Sequence, residues 1–170
     1  VAADAPIGVF DSGVGGISVL RELVKILPQE HFIYFGDSAN APYGARSPEE
    51  VRSLTDAHVR ELIGRGAKAI VIACNTATGA AIQYLRERYT DIPIIGMEPA
   101  IKPAVTAYPG GRILVMATPV TLSSPGFQRL MAAYAQVPRI REIDLQLRRT
   151  MAMAAQAAFL QGSDGRAEMD

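Results

Sequence analysis

Ile70-Val71-Ile72-Ala73-Cys74-Asn75-Thr76-Ala77-Thr78 decides how the rest of the chain reads. Its first half is an unbroken apolar run, the pattern of a strand covered on both faces. Its second half turns to small and polar residues that open a helix. The only cysteine of the chain stands at that junction. A thiol over the positive end of a helix favours its thiolate and can serve as base or nucleophile. The plainer alternative for Cys74 is a small buried hydrophobe. Asp11-Ser12-Gly13-Val14-Gly15-Gly16 follows an earlier apolar strand in the same way. Two such loops open at one edge of a parallel sheet, so a carboxylate and a thiol face one pocket.

Working outward, Pro6 to Phe10 reads as the first strand, and Ile17, Leu20, Leu23, Val24 and Leu27 recur at helical spacing after it. Phe32 to Phe35 is the second strand. Ser47-Pro48-Glu49-Glu50 is a helix start, with a hydroxyl cap, proline at the first position and a carboxylate at the capping-box position. Val51, Leu54, Val59, Leu62 and Ile63 form its inner stripe. Ala67 to Ile72 is the third strand, Thr76 to Arg88 a helix, and Ile92 to Ile95 the fourth strand. The alternation predicts an α/β fold: a parallel sheet with helices on both faces, followed by an incomplete second α/β unit. Residues 1–98 make the first α/β domain, carrying the Asp11 and Cys74 loops. Residues 99–135 start a second, with a helix over Ala100–Ala107, a strand over Arg112–Met116, a loop at Ala117–Thr121 and a helix from Ser124-Pro125. Residues 136–170 form an atypical helical tail, with a weak strand candidate at Ile140–Ile143 and a helix over Leu145–Leu160.

Composition narrows the function. With 170 residues, 49% of them hydrophobic, the chain can bury a real core. Seventeen basic residues balance seventeen acidic ones, so nothing calls for nucleic acid or an anionic membrane. One cysteine and two histidines exclude a disulfide framework and a cysteine-rich zinc site. No basic-then-apolar leader and no apolar run of about 18 residues occurs, so a cytoplasmic location is expected.

The remaining candidates each have a structural alternative. Asp11 is a good helix cap or turn former, and Gly13, Gly15 and Gly16 let backbone N–H groups approach an anion. The glycine spacing is not the dinucleotide fingerprint. Ser12 either contacts a ligand or satisfies the turn, and Tyr43 with Gly44 either covers the loop or touches substrate. His58 falls on or beside the inner stripe of its helix and reads as packed and hydrogen-bonded. His31 reads as solvent-facing, and Met151 and Met153 as packing. The strand-end position predicts a partly exposed, reactive Cys74.

Five runs occur in order: the Asp11–Gly16 loop, Gly36-Asp37 with Pro42-Tyr43-Gly44, Ala73-Cys74-Asn75-Thr76-Ala77, Gly96-Met97-Glu98-Pro99, and Ala117-Thr118-Pro119-Val120-Thr121. Together they resemble the glutamate racemase family, in the aspartate/glutamate racemase superfamily, over about Ile7 to Tyr134. The resemblance implies two α/β domains about a pseudo-twofold axis, with glutamate in the cleft between them. It implies a racemase that uses no cofactor and no metal and supplies D-glutamate for peptidoglycan. By resemblance Cys74 is one of two bases, and Asp11 assists its proton transfer or the substrate ammonium. Ser12, Tyr43, Gly44, Asn75, Thr76, Thr118 and Thr121 would hold the substrate.

The chemistry accounts for these residue types. An amino-acid α-proton is very weakly acidic, so inversion needs a base on one face and an acid on the other. Without an electron sink, hydrogen bonds and exclusion of water must hold the carbanion. The family's second base is a cysteine in a Gly-Cys-Thr-His segment, and this chain has no second cysteine. Neither the family's second-domain glutamate nor its returning C-terminal helix is recognisable, and residues 136–170 do not read as family sequence. A truncated or frame-shifted gene would leave such a tail. The expectation is half of a two-base site, inactive alone in racemisation, with an uncovered sheet face that favours a homodimer. Two other readings stand beside it: a non-catalytic glutamate- or partner-binding remnant, and a one-thiol decarboxylase or isomerase of another small acid.

Overall fold

The structure, a computed structural model, describes residues 2–109 and 113–134, and 140–142 by backbone alone. Strands β1 (Ile7–Asp11), β2 (Phe32–Gly36), β3 (Ala69–Ile72) and β4 (Ile94–Gly96) form a four-stranded sheet in the order β2-β1-β3-β4. Every pairing in it is parallel. Helices α1 (Gly16–Ile26), α2 (Pro48–Gly64) and α3 (Asn75–Arg88) supply the crossovers that parallel strands require. The chain leaves β1 toward β2 and leaves β3 toward β4. Strand order therefore reverses between β1 and β3, where ligands bind on such sheets. The Asp11 and Cys74 loops sit side by side at that point.

Side-chain alternation sorts the core. Phe10, Ile70, Ile72, Cys74 and Ile94 pack with Val51, Val59 and Leu62 of α2 and Ala77, Ala81 and Leu85 of α3. Ile7, Val9, Val71 and Ala73 face the other way and meet Val19, Leu20 and Leu23 of α1. The stripe expected on α1 needs correction. Ile17, Val24 and Leu27 point outward, and Val19 takes a place on the inner face. Among the described residues α1 is the only helix packed on that face, and Ile95 of β4, the partner of Val71, stands 46% exposed.

The Ser47 start of α2 is a complete capping box: Ser47 Oγ accepts from Glu50 N, and Glu50 returns to the Ser47 N–H. It sets the helix that carries His58. Beyond β4 come α4 (Ile101–Ala107), β5 (Ile113–Val115), α5 (Pro119–Ser123), α6 (Pro125–Ala133) and β6 (Ile140–Glu142). One expectation changes in this region and one weak candidate is realised. The Ala117–Thr121 stretch is not all loop, because Thr118 caps a short helix with its hydroxyl. The weak candidate at Ile140 is a strand, parallel to β5. Ile101, Val115 and Phe127 form a small core of their own. The Leu145–Leu160 helix and the two tail methionines lie outside the described residues.

Candidate active site

Cys74 is the residue just before α3, in extended backbone, and its sulfur caps that helix by accepting from Ala77 N at 3.4 Å. Ser12 Oγ lies 3.2 Å from the same sulfur, across the boundary between the two loops. The side chain is more covered than a partly exposed thiol, at 7%. Its two polar neighbours are a helix-end N–H and a hydroxyl.

Asp11 ends β1, buried. Its Oδ2 accepts from Gly13 N and Gly16 N, both at 3.1 Å. The anion that the glycine turn cradles is thus the Asp11 carboxylate itself. Ser12 is held between two anchored neighbours, with its hydroxyl turned to Cys74.

The segment after β5 reaches this corner through threonines. Thr76 Oγ1 and Thr118 Oγ1 are 2.8 Å apart, and Thr118 Oγ1 and Thr121 Oγ1 are 3.0 Å apart. Gly44 is pressed to the same place: a Cβ added there would stand 2.6 Å from Thr118 Cγ2. Only glycine allows that approach. Asn75, one residue past Cys74, is exposed and does not bond into the cluster.

Tyr43 sits in a short 3-10 turn (Tyr43–Ala45), and its ring is 2% exposed. Its hydroxyl donates to Asp37 Oδ2 at 2.7 Å. The ring supports the loop, and what the turn presents to the cleft is Gly44. Asp37, also buried, accepts from Asn40 Nδ2 and pairs with His58 Nε2 at 2.9 Å. His58 stacks on Phe35 at 4.5 Å and Phe10 at 5.4 Å. Burial pushes the Asp37 carboxyl upward, but the bonds from Tyr43, Asn40 and His58 together outweigh it and hold it below the ordinary range. Burial, then Asp37, raises the Tyr43 phenol. His58 is packed and bonded, and His31 is exposed, as the periodicity predicts.

Two groups have roles that the sequence does not announce, although Asp37 stands in one of the five runs. Asp37 carries no spacing signal, because its partners lie 3, 6 and 21 residues away, in its own loop, the 3-10 turn and α2. Tyr34 on β2 donates to the Gly13 carbonyl at 2.9 Å. Burial, followed by the nearby Asp11 charge, pushes its phenol up to about 12. A groove of about 440 Å³ runs along α3, lined by Gly79, Gln83, Met97, Ser124 and Arg129. It meets the thiol corner only at Asn75 and Thr121. Among the described residues no three metal-ligating side chains gather, and no helix is long and apolar enough to cross a membrane.

A thiol at a helix start beside a carboxylate-braced glycine turn, at the switch point of a parallel sheet, places an acid–base group where a small ligand can bind. The family model for Asp/Glu/hydantoin racemases matches residues 7–166. The chain belongs to that family. The matched span runs past Tyr134, the end of the stretch that carries the sequence resemblance. Among curated relatives it is 63% identical over 129 residues to the glutamate racemase of Clostridium novyi, covering 76% of this chain and 50% of the relative. It is 56% identical over 140 residues to that of Clostridium botulinum, covering 82% and 54%. The chain therefore spans about half the length of the curated relatives it matches. Among solved structures, Escherichia coli glutamate racemase, in complex with L-glutamate and the activator UDP-MurNAc-Ala, matches with a TM-score of 0.76 and 34% identity. That match covers 89% of this chain and 57% of the other. The Francisella tularensis enzyme with D-glutamate matches at 0.66 and 34%, over 82% and 52%.

Proposed function

We propose that this chain carries one proton-transfer face of a cofactor-independent glutamate racemase. The observation that supports it is the Ser12–Cys74 contact at the start of α3, next to Asp11. In this reading glutamate lies over Cys74, and the thiolate takes the α-proton, leaving a carbanion delocalised into the α-carboxylate. The thiol then returns a proton to the same face. Ser12, Asn75, Thr76, Thr118 and Thr121 hold the substrate's polar groups, with the Gly44 turn closing over them. Asp11 braces the turn and sets negative charge toward the substrate ammonium. Inversion needs an acid on the opposite face, and the single cysteine favours exchange without inversion. The product of the complete reaction would be D-glutamate for peptidoglycan, made in the cytoplasm, with chains pairing as a homodimer over the Ile95 face.

Cys74 alone reports occupancy, since no other thiol competes. Iodoacetamide should alkylate it in the folded chain. Glutamate at ten times its Kd should slow the reaction about tenfold by occupying the corner. A Cys74 that reacts at the same rate with and without glutamate contradicts the proposal. So does one that reacts only after unfolding.

A further inference from the structure

We infer that Tyr34 is a positioning residue for the thiol: its hydroxyl holds the Gly13 carbonyl and thereby fixes Ser12 against Cys74. The Gly13 residue is tied at both ends, its N–H to Asp11 Oδ2 at 3.1 Å and its C=O to Tyr34 Oη at 2.9 Å. Gly36 makes the second tie reachable. A Cβ added there would run into the Gly13 oxygen and stand 3.2 Å from Tyr34 Cε1, so strand, carbonyl and ring are in mutual contact. Asp11 on the other side of Ser12 is fixed by β1, and its carbonyl accepts from Asp37 N at 2.9 Å. These ties fix the Ser12 backbone on both sides, and from that backbone its hydroxyl lies 3.2 Å from the sulfur.

The ionisable groups facing this corner are Asp11 from β1, Tyr43 from the 3-10 turn and Cys74 itself. With its phenol pushed up to about 12, Tyr34 stays a donor at any working pH. The inference rests on Cys74 as the reactive group, but its test uses no glutamate, so it fails or holds separately from the proposed function.

The test is a double-mutant cycle on Tyr34→Phe and Ser12→Ala, with two readouts from the one thiol: its alkylation rate by iodoacetamide and the position of its S–H stretching band. Tyr34→Phe keeps the ring, so packing against α1 is retained. Each single variant should change the alkylation rate by about threefold or more, in the same direction, and move the band to the same place. The double variant should go no further than either single one. A purely structural tyrosine would leave the band where the wild type has it. Either single variant indistinguishable from wild type, or effects that add in the double variant, overturns the inference. Far-UV spectra and melting check each fold. Should Tyr34→Phe fail to fold, Gly36→Ala, which presses on the same carbonyl, enters the cycle in its place.

Discussion

Replacing Cys74 with alanine should slow exchange of the glutamate α-proton with solvent by about 100- to 10,000-fold. Count and placement both single out this thiol. No second thiol exists in the chain to substitute, and the other ionisable groups near the corner are already committed. The Asp11 carboxylate accepts two backbone N–H groups, and the Tyr34 hydroxyl donates to the Gly13 carbonyl. His31 is exposed on the approach to β2, and His58 is bound to Asp37 under the sheet face. The sulfur also caps α3 through Ala77 N, so alanine costs a weak cap as well. Cys74→Ser separates the two effects, because a hydroxyl caps the helix but does not give up its proton near neutral pH. Exchange should be lost in both variants, while melting should fall only in the alanine one. Exchange that survives in Cys74→Ser at wild-type rate would move the base elsewhere.

Asp37→Ala should lower stability by about 3–5 kcal/mol, a large share of what a domain of this size has in total. The substitution leaves a buried phenol, an imidazole and an amide without their shared acceptor. It also unties the Tyr43 turn from α2, so Gly44 should lose its seat against Thr118. The pH dependence has a definite sign. The folded carboxyl sits below its unfolded value, so its contribution is fully present above about pH 4 and is lost as pH falls through the folded value. Melting temperature followed into acid should therefore drop more steeply in the wild type than in Asp37→Asn. Parallel curves for the two proteins would remove Asp37 from the acid response.

The parts of this molecule that show in its sequence are those governed by local rules. The apolar runs at Ile70 and Pro6 announce buried parallel strands, and Ser47-Pro48-Glu49-Glu50 spells out a capping box that the structure contains. Thr118-Pro119 has the same hydroxyl-then-proline start as Ser47-Pro48, but its helix runs only 5 residues, too short to show a helical period, and so the stretch reads as loop. The inner face of α1 is not legible either. Its apolar residues surround much of the helix, and only the position of the sheet selects Val19 over Ile17 and Val24. Asp37 and Tyr34 are hidden for a related reason. Their partners become neighbours through strand pairing and the fold of the loops, and β2 is half-buried along its whole length, so it shows no alternation.

The most direct measurement is incubation of the purified chain with L-glutamate in deuterated water, followed by mass spectrometry and chiral separation. A one-thiol site should place deuterium at the α-carbon of L-glutamate, with D-glutamate forming at least about a thousandfold more slowly than in an intact two-thiol enzyme. Rapid D-glutamate would contradict a single proton-transfer face, because a second residue of this chain would then be delivering a proton opposite Cys74. L-glutamate recovered without deuterium would contradict it as well, by removing Cys74 from proton transfer.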